Sequence, residues 1–319
     1  MVYNLLMLMS WIVCRMPHSW LMVLGKGLGV LYYKLIKKQR NLAIKQMKES
    51  LQISQQEAEK LVRLSFINMG RNFMEVLYMP ALNKKNFSKY IEIDHLEIME
   101  QALAEKRGVV VLTGHVGNWE WLSASFTMND MPVTAIAKPQ PNMDYTHALD
   151  ELRSRINVEI FSRGTSELLS AAKALKKGKI LGFLADQDAG PGGAFIEFLG
   201  KTASTPMGAA VFAKKFNSPV VPAFIIRQPD GHHRVEIGEI LRYEDTGDSD
   251  KDLYNLTYKM TKILEKKILD NPTQWLWFQK RWNTKPEQQK IKHHTVKTEV
   301  VQTGQQHGHR KSPNNNAWQ

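Results

Sequence analysis

The sequence predicts an α/β fold: a mixed sheet flanked by helices, preceded by an apolar helical segment. Three observations predict it. After Gly108, short apolar runs alternate with stretches of helical periodicity. The first run, Val109-Val110-Val111-Leu112-Thr113, is continuous rather than alternating, as a strand covered on both faces requires. Residues 1–36 are rich in Leu, Met, Val, Trp and Tyr.

That first segment is interrupted by Arg15, Pro17, His18 and Lys26, so it lacks the run of roughly 20 apolar residues a spanning helix needs. No basic start or small-residue cleavage site marks a signal peptide. The cluster Lys34, Lys37, Lys38 and Arg40 follows at once, as expected of a segment held against anionic lipid. The expectation is a membrane-seated helix or helical hairpin over 1–40.

From 41 to 82 the apolar residues recur at helical spacing, with Pro80 marking the stop. Strands are then expected at 109–113, 133–137, 158–161, 180–185 and 220–226. Helices are expected at 145–155, 167–177, 207–216 and 252–269. In such a sheet, ligands gather at the carboxyl ends of the strands. The main domain is taken as 41–283. Residues 284–319, rich in Gln, Asn, His, Gly and Lys, are expected to form a disordered tail.

The 319 residues carry a formal charge of +12, which favours acidic partners without choosing among nucleic acid, lipid headgroup and acidic protein. The single cysteine, Cys14, lies in an apolar stretch and excludes an intramolecular disulfide. No zinc-type ligand spacing occurs, and the pairs His232-His233 and His293-His294 are expected at the surface.

His115 stands just past the first strand, between Gly114 and Gly117, where the chain turns toward a helix beginning near Asn118. Glu120 follows in the first helical turn, within reach of the ring. An imidazole accepts a hydroxyl proton near neutral pH, and a carboxylate on its other nitrogen fixes the tautomer. Such a pair forms the base and its orienter without an enzyme nucleophile. A structural histidine beside a carboxylate is the alternative.

The run His115-Val116-Gly117-Asn118-Trp119-Glu120 resembles the His-x4-Asp/Glu signature of the lysophospholipid-acyltransferase superfamily, in its lipid A lauroyl/myristoyl acyltransferase branch. Arg163-Gly164, Asp186-Gln187-Asp188, Phe198 through Thr205, Val220-Val221-Pro222 and Trp275 through Trp282 resemble later blocks of that family, in order. The resemblance implies a glycerolipid-acyltransferase-like fold at the cytoplasmic face of the inner membrane. It implies transfer of a fatty acyl chain from an acyl carrier protein thioester to a hydroxyl of an anionic glycolipid, a lipid A precursor. No cofactor, metal or nucleic acid is implied. His115 would be the general base, Glu120 its partner, and Arg163 a contact to acceptor phosphate or to the oxyanion.

Gly117, Asn118, Asp186 and Gln187 are expected to meet substrate. For Asp186, Gln187 and Asp188, support of the His115 loop or a turn closing onto Gly190, Gly192 and Gly193 are alternatives. Ser204 and Thr205 are expected to cap a helix, Trp275 to be core, and Trp277 or Trp282 to meet the membrane interface. Lys173, Lys176, Lys177, Lys179, Lys214 and Lys215 are available to an acidic donor, an acceptor or a membrane. A thioesterase or lipase is disfavoured because no Gly-x-Ser-x-Gly elbow occurs. Acylation of another lysophospholipid or phosphoglycolipid stays open.

Overall fold

The computed structural model describes residues 1–137, 141–162 and 165–288. The first four helices are α1 (Val2–Val13), α2 (His18–Leu35), α3 (Lys37–Leu51) and α4 (Gln55–Tyr78). The α/β part follows as β1 (Ile91–Asp94), α5 (Leu96–Ala104), β2 (Val109–Thr113), α6 (Trp119–Thr127), β3 (Val133–Ala137) and α7 (Met143–Ser154). It continues with β4 (Val158–Ser162), α8 (Thr165–Lys176), β5 (Ile180–Leu184), β6 (Ala194–Phe198), β7 (Lys201–Thr205) and α9 (Gly208–Phe216). It closes with β8 (Val220–Arg227), β9 (His233–Ile237) and α10 (Ser249–Asp270).

Seven strands form one sheet in the order β1-β9-β8-β2-β5-β3-β4, and β6 pairs with β7 as a separate hairpin. From β8 to β4 every pairing is parallel; β9 runs antiparallel to β8, and β1 parallel to β9. The expected mixed α/β sheet is therefore present. β1, β6, β7 and β9 were not anticipated. Phe198 through Thr205, expected as a family block and not as strand, fall in this hairpin, where Leu199 and Gly200, both at positive φ, make the tight two-residue turn.

Alternation along β2 explains the layers. Val109 and Val111 join the core under α6 and α7, whereas Val110 and Leu112 join the core under α8, α9 and α10. A strand buried on both faces favours apolar residues on each, which is why its sequence is apolar from Val109 to Leu112, with Thr113 the one polar residue at its end.

α2 packs on α4 through glycines. A Cβ on Gly29 would lie 2.3 Å from the Phe66 carbonyl oxygen, and one on Gly70 2.2 Å from that of Gly25, so the two backbones touch directly. The opposite face of α2 exposes Trp20, Val23, Leu24 and Leu28. No described helix is long and apolar enough to cross a membrane. The tail expected beyond Thr284 lies, from residue 289 on, outside the described residues.

Candidate active site

The parallel strands end at one edge, and His115 stands two residues past β2 on that edge. Asn118 caps α6, its side chain accepting from the Trp121 N–H at 3.3 Å, so the chain between strand and helix is a tight turn. Gly117 sits in it at φ +60°, and a Cβ there would fall 1.7 Å from the Ile225 carbonyl oxygen. Only glycine meets both conditions.

Asp186, just after β5, holds His115 at two points. Its Oδ1 lies 2.7 Å from the ring Nδ1, and its Oδ2 accepts from the His115 backbone N–H at 3.0 Å. Trp275 Nε1 and Gln279 Nε2 also donate to Oδ2, at 2.7 and 3.0 Å. Asp186 is fully buried, which alone disfavours its charge. The imidazole charge and these donors outweigh burial and hold its carboxyl well below the usual carboxylate range. An ionised carboxylate only accepts, so Nδ1 carries a proton, and in the neutral ring Nε2 carries the lone pair. Nε2 makes no hydrogen bond among the described residues, and the ring lines a cavity of about 600 Å³.

Glu120 does not take the place expected of it. It lines the same cavity, but its carboxylate is gripped by Arg153 of α7, with Nε to Oε2 at 2.8 Å and Nη2 to Oε1 at 2.6 Å, and Trp119 Nε1 donates to it at 3.2 Å. The first turn of α6 points this side chain toward α7, while the end of β5 brings Asp186 under the ring. Burial opposes the Glu120 charge, yet the guanidinium and its hydrogen bonds keep the carboxyl below its ordinary range. Asp186, expected at substrate or behind the loop, is the residue that orients the imidazole.

The turn is held from behind by α4. Ser65, Asn68, Asn72 and Glu75, spaced three or four residues apart, form one polar stripe. Ser65 donates to the Trp275 carbonyl, Asn68 to that of Thr273 and Asn72 to that of Gly117. Glu75 is buried and accepts from Asn118 at 2.8 Å, from both terminal nitrogens of Arg227 and from His233 Nε2 at 3.0 Å. Burial opposes its charge, but His233 and Arg227 hold its carboxyl well below the ordinary range. These polar positions recur at the helical period, which is the signal the sequence carries for them.

The structure thus brings His115, Glu120 and Gln187 to one cavity, while Asp186 is buried behind the imidazole and does not line it. Gly117 and Asn118, expected to meet substrate, instead face Ile225 and Glu75 inside the protein. Arg163 lies outside the described residues; among the described residues, Arg153 is an arginine that lines the cavity. Among the described residues no three His, Cys, Asp or Glu side chains gather as a metal requires.

Several other expectations are corrected. His233 is buried on Glu75 rather than exposed. Trp277 is core, packed against Trp275 at 4.7 Å between ring centres. Ser204 and Thr205 belong to β7, where the buried Arg281 binds them at 2.6 and 2.7 Å; α9 begins after Met207 without a side-chain cap. Asp188 closes the turn onto Gly190 and accepts from Thr284. Lys173, Lys176, Lys214 and Lys215 stand in the last turns of α8 and α9, and Lys179 just before β5. They occupy the edge where strands begin, opposite His115.

The sequence as a whole matches the family model described as bacterial lipid A biosynthesis acyltransferase over residues 1–284. The chain belongs to this family. It is therefore an acyltransferase. Among characterised relatives of this acyltransferase, the lipid A biosynthesis lauroyltransferase of Escherichia coli (strain K12) is 28% identical over 282 residues, covering 87% of this chain and 90% of the relative. The palmitoleoyltransferase of the same strain is 25% identical over 280 residues, covering 86% and 89%. A phosphatidylinositol mannoside acyltransferase of Mycolicibacterium smegmatis (strain ATCC 700084 / mc(2)155) is 22% identical over 230 residues, covering 70% and 73%.

Proposed function

We propose that this acyltransferase moves a fatty acyl chain from an acyl carrier protein thioester to a hydroxyl of a lipid A precursor, with His115 as general base and no acyl-enzyme. The observation that carries the proposal is the imidazole whose Nδ1 is bound to Asp186 while its other nitrogen borders the cavity. The acceptor hydroxyl gives its proton to Nε2 as its oxygen attacks the acyl carbon. The tetrahedral oxyanion then collapses, the C–S bond breaks, and the carrier thiolate takes the proton from Nε2. Asp186 stabilises the imidazolium between the two transfers. No serine, threonine or cysteine side chain bonds His115 among the described residues, in keeping with direct attack by the substrate.

Glu120 and Arg153 form a rigid charged wall of the cavity in this reading, orienting the reacting groups. Arg163 is assigned to acceptor phosphate or the oxyanion. The names of the E. coli relatives support lipid A as the acceptor class. The exposed apolar faces of α1 and α2, including Leu8, Trp11, Trp20 and Val23, with Arg15, Lys34 and Lys37 beside them in sequence, support seating of both helices on an anionic leaflet. In this reading the enzyme sits at the cytoplasmic face of the inner membrane.

The test is incubation of purified protein with acyl carrier protein thioester, with and without a lipid A precursor. The expected product is acceptor heavier by one acyl group, formed by wild type and lost in His115→Ala. Equal thioester loss in both tubes indicates a hydrolase and overturns the proposal, as does full activity in His115→Ala. Acylation of a different phosphoglycolipid alone overturns the acceptor assignment.

A further inference from the structure

One arm of the cavity runs down the sheet beneath α6, away from His115. On the sheet side it is walled by Val111, Ala135 and Gly182, which lie level with one another in the pairing of β2, β5 and β3. Beyond them, at the strand starts, stand Val133, Val158 and Ile180, also level. On the helix side, Trp119, Leu122 and Phe126 follow at spacings of three and four, so one face of α6 covers the arm from mouth to floor. From Leu184 to Ile180 the arm descends four residues of β5, about 13 Å at the rise of a parallel strand.

Gly182 is the informative residue. It occupies the middle of a central strand, where glycine weakens the sheet. Its neighbours do not require it: an added Cβ would meet only the Thr134 carbonyl oxygen at 3.8 Å and the Ala135 Cβ at 4.0 Å, both ordinary contacts. Its φ is not in the left-handed region either. What a larger side chain would fill is the arm itself.

We infer that this arm holds the acyl chain being transferred, and that Gly182 and Phe126 set the length it accepts. The carbonyl end lies at His115, the chain passes over Gly182, and the methyl end stops against Phe126, Val133 and Val158. The depth suits a saturated chain of about dodecanoyl length. Taking His115 as the reacting end rests on the proposed function; the existence of an apolar chain site does not.

Two measurements on the full chain separate these points. Displacement of a fluorescent fatty acid by the saturated acids from octanoate to stearate reads the arm alone. Competition among the corresponding acyl carrier protein thioesters, with lipid A precursor as acceptor, reads the arm in use. Gly182→Val shifts both preferences to shorter chains, longer acids losing roughly tenfold in affinity for every two methylenes displaced. Phe126→Leu shifts both to longer chains and decides the matter if Gly182→Val does not fold.

Length profiles identical in wild type and both variants overturn the inference, as does failure of wild type to bind any of the acids. Shifted binding profiles with no thioester consumed leave the chain site standing and remove the transfer reading. Transfer with an unshifted length preference in Gly182→Val does the reverse.

Discussion

Asp186 binds His115 twice, at 2.7 Å to the ring Nδ1 and at 3.0 Å to the backbone N–H, so one buried carboxylate sets both the tautomer of the ring and the position of the turn that carries it. In Asp186→Asn the side chain keeps its shape, but its amide offers a donor and a weaker acceptor to the ring. Turnover is expected to fall by about two to four orders of magnitude with little change in KM for the acceptor. Steady-state kinetics on the purified variant check this. A loss smaller than a few fold would remove Asp186 from the mechanism.

The Glu120 and Arg153 pair is nearly buried, with side chains 9% and 14% exposed. Removing one partner leaves the other charge without compensation. Arg153→Ala is expected to destabilise by about 3–5 kcal/mol, and Arg153→Met with Glu120→Gln by clearly less. Urea unfolding of the two variants measures the difference; equal losses would show that the charge pairing is not what matters there.

Acid should unfold the protein through identifiable carboxyls. Asp186, Glu120 and Glu75 are each pushed upward by burial and brought below their ordinary range by paired cations and donors. Unfolded, they titrate near about pH 4. Between the folded and unfolded values the unfolded chain binds more protons, so stability rises with pH there. Their contribution is complete above about pH 5 and is lost as pH falls below about 4. Urea midpoints across this range test the direction, and midpoints that climb on acidification would contradict it.

Gly117 leaves no room for any other residue. Gly117→Ala adds left-handed strain to a clash with the Ile225 carbonyl oxygen 1.7 Å away, and should destabilise by at least about 2 kcal/mol. Thermal unfolding reads the loss. Activity should fall with it, because Gly117 O is tied to Asn72 and its N–H to the Gln274 carbonyl.

The proposed seating of α1 and α2 on a membrane makes a prediction about binding without one about folding. Val23 and Leu24 are 70% and 47% exposed, so Val23→Glu with Leu24→Glu should leave the melting temperature unchanged. Flotation with vesicles of anionic phospholipid should weaken roughly tenfold or more per side chain. Unchanged flotation would detach membrane seating from this face.

Much of this protein was written in local pattern. The runs at 109–113, 133–137 and 220–226 declared themselves because strands covered on both faces are built mostly of apolar residues, Thr113 and Thr134 apart, and the helices between them by their period. His115 was equally visible, since a polar residue between glycines at a strand end has few structural reasons to be there. What could not be read was partnership across distance. Glu120 is five residues from His115 and Asp186 is 71, yet the imidazole belongs to Asp186, because register of β5 beside β2 brings that carboxylate under the ring while the first turn of α6 turns Glu120 toward Arg153. The same holds for His233, drawn inward by Glu75, and for Gly182, whose meaning is a cavity and not a turn. Periodicity reports which face of an element is buried; which charges meet on those faces is settled when the sheet is assembled.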